Sequence, residues 1–283
     1  MLARALEKLD RTALLTRKSI IHRWTNRFGA SEEKKVLFVT GTHRSGTNMI
    51  MDALERHSAT DVYHETDPRV FHRYVHRGRS VLRDAIDRSP SRRVVIKALH
   101  ESEQTLDLVT EFAPARVLWM YRDWRDVVNS LVSRWPQNRN RIDEIVEGTC
   151  GDNWRCQGIS EQTLAIVRDV YTPNLSIAAV NTLFWYIRNQ IFFDLALDND
   201  ARCLLLRFED IVENPEQHIR ALCAHFDMPY EAAMARVPSG TKIRKKPAPD
   251  IPSEIAALAD NMLTKLATVA PQCERVEHGG TLV

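Results

Sequence analysis

A three-layer α/β fold, with a central and mostly parallel sheet flanked by helices, is predicted by two features of this sequence. Short apolar runs alternate with stretches of helical periodicity, and the first such run passes through a glycine-containing turn directly into a helix. Val36 to Thr40 is apolar up to its final threonine, as a strand buried on both faces must be, and the helix that follows runs through Met49 to Leu54. Val94 to Ile96, Val117 to Tyr121 and Cys203 to Phe208 repeat the strand pattern. Leu106 to Phe112 and Val127 to Trp135 supply helices between them. From Ala178 to Asp198, the apolar positions Leu183, Phe184, Ile187, Ile191, Phe192 and Leu195 read as one long buried helix.

A chain of 283 residues with 44% hydrophobic composition can bury one good core. No internal repeat or long linker divides it, so residues 35–283 are expected to form a single domain behind a separate segment, residues 1–34. Lysine and arginine (39) nearly balance aspartate and glutamate (37). That balance gives no mandate for nucleic acid, and any anion site has to be a local cluster. The five cysteines, Cys150, Cys156, Cys203, Cys223 and Cys273, are odd in number and make neither a CxxC pair nor a metal-ligand spacing with histidine. Reduced thiols are the expectation, and no metal is. No run approaches the roughly 20 apolar residues of a membrane span, and the pattern of a signal peptide is missing; a soluble, cytoplasmic protein is expected.

Within residues 1–28, Leu2, Leu6, Leu9, Leu14, Leu15, Ile20, Ile21 and Trp24 interleave with Arg4, Lys8, Arg11, Arg17, Lys18, Arg23 and Arg27. This is the pattern of a basic amphipathic helix or helix pair. It suits three places: the surface of its own domain, a second copy in a homodimer, or an anionic inner membrane surface touched peripherally.

The first chemical signal is Val39-Thr40-Gly41-Thr42-His43-Arg44-Ser45-Gly46-Thr47-Asn48, lying between the first strand and its helix. A turn there aims successive backbone N–H groups and a helix N-terminus at one point, which makes a phosphate cradle of the P-loop type. A nucleoside-triphosphate loop needs a lysine after its last glycine to reach the outer phosphates. Here Thr47 follows Gly46, and the cation sits inside the loop at Arg44.

Three further segments join it. Val117 to Ser130 is an apolar strand ending at Arg122, followed by a helix that carries Ser130 eight residues later. A guanidinium at a strand end offers phosphate a two-pronged fork, and a hydroxyl on the next helix adds a donor. Leu204 to Pro215 is another strand, leading into Arg207-Phe208-Glu209-Asp210. Near the C-terminus, Ser239 to Pro247 is a glycine-containing basic run with Lys242, Arg244 and Lys245.

As a set and in this order, these segments resemble the sulfotransferase superfamily that takes its donor from 3'-phosphoadenosine 5'-phosphosulfate (PAPS), in its bacterial and glycan-type branch, over approximately Val36 to Pro229. The resemblance implies that the Arg44 loop, from His43 through Ser45, Gly46 and Thr47 to Asn48, holds the 5'-phosphosulfate, and that Arg122 and Ser130 bind the 3'-phosphate. It further implies that Phe208 lies near the adenine, where the family usually has tyrosine, and that Lys242, Arg244 and Lys245 close over the nucleotide, although the family's usual Arg-Lys-Gly is missing here.

For the chemistry, the resemblance offers two bases. Glu65 follows the first helix after a short connection, like the catalytic glutamate of tyrosylprotein, glycan and bacterial members, although Asp67 stands where the tyrosylprotein branch has arginine. His100 follows Lys97 by three residues, whereas the Lys-Thr-His of the cytosolic small-molecule branch spaces them by two. Glu65 is preferred, with Lys97 reaching the oxygen that bridges sulfate and phosphate and Arg44 assisting. The expected reaction is an in-line sulfuryl transfer to a hydroxyl, driven by positioning and electrostatics and needing no metal.

Two other readings keep the same loop. An ATP-dependent P-loop kinase lacks its lysine after Gly46 and a strand-end aspartate for magnesium. A non-catalytic binder of adenosine 3',5'-bisphosphate (PAP) would keep the anion cluster without turnover. The acceptor pocket is expected in Asp67 to Arg83 and Arg134 to Tyr171, where His72, Arg73, His76, Arg77, Arg79, Trp135, Arg139, Arg141 and Trp154 suit a carbohydrate, glycoconjugate or glycolipid slightly better than a small alcohol, phenol or lipid headgroup.

Overall fold

The computed structural model describes Lys18, residues 33–236, Ile243 and residues 246–275, with side chains as far as residue 270. Five strands form the main sheet: β1 (Lys35–Gly41), β2 (Thr60–Tyr63), β5 (Arg93–Lys97), β6 (Ala115–Tyr121) and β7 (Cys203–Arg207). Two short strands, β3 (Phe71–His72) and β4 (Val75–His76), make an antiparallel hairpin apart from it. The order across the main sheet is β2-β5-β1-β6-β7, and every neighbouring pair is parallel. All the strands therefore end at one edge, where ligands of open α/β sheets bind.

The period-2 geometry of a strand divides the core in two. Val36 and Phe38 of β1 join Ile96, Trp119 and Phe192 on one face, while Leu37 and Val39 join Ile50, Leu118, Leu206 and Phe226 on the other. Helices cover both faces, so the three layers predicted from the alternation are present. In chain order they are α1 (Thr47–Arg56), α2 (Arg79–Arg88), α3 (Thr105–Glu111), α4 (Trp124–Arg134), α5 (Ile142–Glu147), α6 (Glu161–Val170), α7 (Ile177–Asp194), α8 (Phe208–Glu213), α9 (Pro215–His225) and α10 (Ser253–Arg275). Helix α7 is buried on nearly every side, lying against α4 and α10. None of the described helices is long and apolar enough to cross a membrane.

Several expectations need correction. Strand β7 stops at Arg207, the last residue paired to β6, and Phe208 opens α8 instead of ending the strand. The long helix ends at Asp194, because Ala196 adopts a left-handed conformation and Leu197–Asn199 forms a separate 3-10 turn. Cys150 and Cys156 are joined by a disulfide, with Cα atoms 6.2 Å apart, so these two thiols are not reduced. The pair is separated by six positions, which matches neither of the spacings sought in the sequence. Cys203 and Cys223 are buried and are not joined in a disulfide.

Most of the basic N-terminal segment lies outside the described residues. Lys18 is buried: its Nζ donates to Thr60 O at 3.0 Å and Thr60 Oγ1 at 3.2 Å, at the start of β2. Burial lowers its pKa to about 8. Lys18 is thus docked on the domain itself, one of the three places that the amphipathic pattern suits.

Candidate active site

The site is assembled at the strand ends. Gly41 brings β1 so close to β6 that a Cβ there would stand 2.1 Å from Met120 O, and the chain then turns through Arg44 at φ 64 and Gly46 at φ 88 into α1. Ser45 is fully buried and donates its hydroxyl to Thr42 O at 2.6 Å, fixing the turn. Helix α1 begins with no acidic residue in its first turn and no side-chain cap, and Thr47 is its first residue. Its leading N–H groups and dipole are consequently available to an anion.

Two cations flank that N-terminus. Arg44 Nε donates to Ser130 Oγ at 2.8 Å, joining the β1 loop to α4 across 86 residues of sequence. Arg122, at the end of β6, lies with its guanidinium carbon 4.2 Å above the Phe208 ring, and its Nη1 reaches Arg44 O at 3.5 Å. Asp126 holds Arg122 Nη2 at 2.9 Å, and Glu209 stands 3.9 Å from its Nε. Glu209 is itself anchored, accepting from Asp123 N at 3.1 Å and Arg207 Nε at 3.1 Å. Burial raises its pKa. The Arg207-Phe208-Glu209 segment thus orients Arg122 from two sides, a role its sequence alone does not announce. Burial, then the charges of Arg122 and Arg134, lower the pKa of Arg44. Guanidiniums gathered in this way favour a bound anion.

The third group lies at the end of β5. Lys97, about 1% exposed, donates to Asn48 Oδ1 at 2.6 Å and pairs with Glu65 Oε1 at 2.9 Å. Burial lowers its pKa, while Glu65 works in the opposite direction. Glu65 Oε2 is buried without a partner, which makes it the free acceptor of this pair. Lys97, Glu65 and Asn48 are thereby brought together, as are Arg44, Ser130, Arg122 and Phe208.

His43 and His100 belong to a different cluster. The His100 ring stacks on Trp154 with centroids 4.1 Å apart and planes 9° apart, and His43 stacks on Trp154 at 4.8 Å and on His100 at 5.1 Å. Burial first, then Arg155, Arg188 and Lys97, push His100 down to about 3, and His43 is held well below its ordinary value mainly by burial. Burial therefore favours the neutral form of both rings. Tyr74 of the β3–β4 hairpin touches His100 edge-on at 5.9 Å. The hairpin is tied down by Glu101, whose Oε1 accepts from His76 N at 2.5 Å and whose carboxyl is pushed up to about 7 by burial.

Lys242, Arg244 and Lys245 lie outside the described residues. Immediately after them, Lys246 Nζ donates to Ser133 Oγ at 2.6 Å and Pro247 O accepts from Asn129 Nδ2 at 2.9 Å, so the chain leaving the basic run rests on α4 beside Ser130. Of the arginines expected to face an acceptor, Arg139 is held by Asp143, Arg141 by Glu144, and Arg79 by Gln104 and Glu111. Asp52, Glu55 and His64 bring one potential metal-ligand atom each within 4.8 Å of one another. A cleft of about 560 Å³ is lined by Lys35, Arg116, Arg202, Phe226 and Asp227 at the opposite edge of the sheet, away from all this chemistry.

Among solved structures, the sulfotransferase from Alicyclobacillus acidocaldarius is 14% identical, with 88% of this chain and 97% of that chain covered and a TM-score of 0.44. The sulfotransferase domain from the Synechococcus PCC 7002 olefin synthase is 13% identical, with coverage of 86% and 96% and a TM-score of 0.48. Mouse sulfotransferase SULT7A1, solved complexed with PAP, is 12% identical, with coverage of 82% and 65% and a TM-score of 0.44. No curated protein matches this chain. Residues 34–239 match the family described as the sulfotransferase domain. Since that match runs from the start of β1 into the basic segment and takes in most of the chain, this protein belongs to the sulfotransferase domain family.

Proposed function

We propose that this sulfotransferase takes its sulfuryl group from PAPS and delivers it to an acceptor hydroxyl, with Glu65 as the base. The observation that carries the reading is the meeting of Arg44, Ser130, Arg122 and Phe208 beside the uncapped start of α1. Such a site fits a nucleotide with separate phosphate groups: a helix N-terminus and Arg44 for one, Arg122 and Ser130 for another, and an aromatic ring nearby. When bound, PAPS supplies an activated sulfuryl group with a phosphate leaving group. Lys97 and Arg44 present positive charge to the anionic oxygens gathered there, and Lys97 is kept from drifting by Asn48 and Glu65. Glu65 Oε2, unpartnered, receives the hydroxyl proton. His100 is a poor competitor, because an imidazole pushed down to about 3 gains little by taking a proton at neutral pH. Lys242, Arg244 and Lys245 are proposed to cover the nucleotide, on the support of the adjoining Lys246 and Pro247 contacts to α4.

A carbohydrate or glycoconjugate remains the proposed acceptor class, no metal is proposed in the reaction, and peripheral membrane contact and a homodimer stay proposals for the N-terminal segment. A cytoplasmic location is proposed on sequence grounds alone, and the Cys150–Cys156 pairing in the structure argues against it. Non-reducing peptide mapping of freshly quenched cells tests it, since a Cys150–Cys156 disulfide found there moves the protein to an oxidising compartment.

The donor is tested by titration calorimetry with PAP, beside ATP with magnesium and adenosine 5'-phosphate, on wild type and Arg122→Ala. Tight binding that needs the 3'-phosphate, weakened about tenfold or more by the substitution, supports the reading. Preference for ATP with magnesium overturns it in favour of a kinase, and PAP binding without turnover of any labelled acceptor favours a non-catalytic binder.

A further inference from the structure

Beyond the donor cluster, the loop between α5 and α6 carries a second cation that has no anion of its own among the described residues. Arg155 lies with its guanidinium carbon 4.5 Å over the Trp154 ring, and its Nε donates to Asn140 Oδ1 at 3.2 Å. Neither of its Nη atoms has a hydrogen-bond or ion-pair partner among the described residues, and neither is sealed from solvent. The contrast with its neighbours is sharp. Arg139 and Arg141 are paired with carboxylates of α5, and Arg188, about 1% exposed, is engaged by Ser102, Glu103 and Trp154 O. Half-buried guanidiniums are normally paired, since desolvation without compensation is expensive. The pKa of Arg155 is lowered by burial and then by Arg141.

Beside this cation lies a cluster of aromatic rings, and the guanidinium carbon of Arg188 also stands 5.4 Å over the Trp154 ring. Trp154 stacks with His100 and His43, and Phe184 closes one side with its centroid 6.1 Å from Trp154. The two imidazoles tie the wall to the reaction centre, because His43 precedes Arg44 and His100 stands three residues beyond Lys97. Aromatic faces of this kind take the flat side of a ring, and an unpaired guanidinium next to them selects a ring that bears an oxyanion.

We propose that Arg155 and the Trp154–His100–His43 wall form an acceptor subsite for a cyclic acceptor carrying a carboxylate or phosphate, so that this enzyme sulfates acidic acceptors in preference to neutral ones. This deepens the sulfotransferase reading and rests on it for the word acceptor, but not for the binding. Arg155 Nη1 and Nη2 receive the anion, and the ring lies against the wall; no bond is made or broken at this subsite.

The test is binding of matched probes by calorimetry, without PAP and again with it: 4-nitrophenyl β-glucuronide, the neutral 4-nitrophenyl β-glucoside, and glycerophosphoinositol as a lipid-headgroup phosphate. Wild type is expected to bind an acidic probe about tenfold or more tightly than the glucoside, as a charge-assisted fork should give. Arg155→Met, which keeps the apolar stem on Trp154, is expected to erase that ratio while leaving the glucoside and PAP unchanged, and Arg155→Lys to restore part of it. Tighter binding of the glucuronide assigns the anion to a sugar carboxylate, and of glycerophosphoinositol to a headgroup. A ratio near one in wild type, or one that survives in Arg155→Met, overturns the subsite. Failure of PAP to bind overturns the donor reading instead, and the ratio measured without PAP still decides this one.

Discussion

In a Gly46→Ala enzyme the added methyl group would stand 2.2 Å from Phe208 Cδ2 and 2.8 Å from Cε2, far inside van der Waals contact. Two penalties combine. At φ 88 the backbone of residue 46 is in the left-handed region, which costs a non-glycine residue about 1–2 kcal/mol. Overpacking against a buried ring adds about 1–3 kcal/mol, depending on how far the ring can retreat. If Phe208 retreats, Arg122 loses the ring face 4.2 Å below it, so donor affinity falls together with stability. The expected loss is therefore roughly 2–5 kcal/mol in urea unfolding, accompanied by weaker PAP binding. The two penalties separate in a double-mutant cycle with Phe208→Leu. The smaller side chain relieves the clash but not the backbone strain, so Gly46→Ala should cost about 1 kcal/mol less in that background than in wild type. Effects that add within about 0.5 kcal/mol would refute the claim that the glycine is required by the approach of Phe208.

Two further outcomes are expected. Glu65→Gln keeps the shape of the Lys97 pair and removes the proton acceptor, so kcat should fall about 10²- to 10⁴-fold while PAP affinity is unchanged; residual turnover near wild type removes Glu65 from the base position. Glu101 supplies a pH signature: its carboxyl is raised from 4.5 to about 7 by burial, so between those values the folded protein holds a proton that the unfolded chain has lost. Its contribution is present in full below pH 4.5 and is lost as pH rises through about 7, a difference of roughly 3 kcal/mol at about 1.4 kcal/mol per tenfold. Glu101→Gln should lack this dependence, so the stability gap between variant and wild type should widen in the variant's favour from pH 4.5 to 8; a constant gap would show that the buried carboxyl is not protonated at neutral pH.

What the sequence disclosed follows from where its information is local. The β1 turn, Lys97 at the end of β5, and Arg122 with Ser130 each sit in a contiguous strand-to-helix segment, where residue type and spacing dictate geometry. Strand β2 escaped notice because it has four residues with Asp61 among them, and the β3–β4 hairpin because its strands have two each. The Trp154 wall was out of reach for another reason. Residues 43, 100 and 154 come from three separate segments, and no spacing along the chain encodes a stack made across the sheet edge. His100 accordingly looked like a base out of register, whereas its ring is packed against an indole. Arg155 was missed because an arginine's availability depends on its neighbours: Asp143 and Glu144 engage Arg139 and Arg141, and no carboxylate among the described residues pairs with Arg155.

The docking of Lys18 on Thr60 sets an orientation for whatever the N-terminal segment meets. Thr60 begins β2, and Tyr63, three residues on, is the end of that strand nearest Glu65, so the two ends are separated by about 10 Å of sheet. A partner that met Lys18 itself would approach the molecule from the edge opposite the strand ends. The groups proposed for catalysis, at the ends of the strands, then lie on the far side of the sheet from that contact.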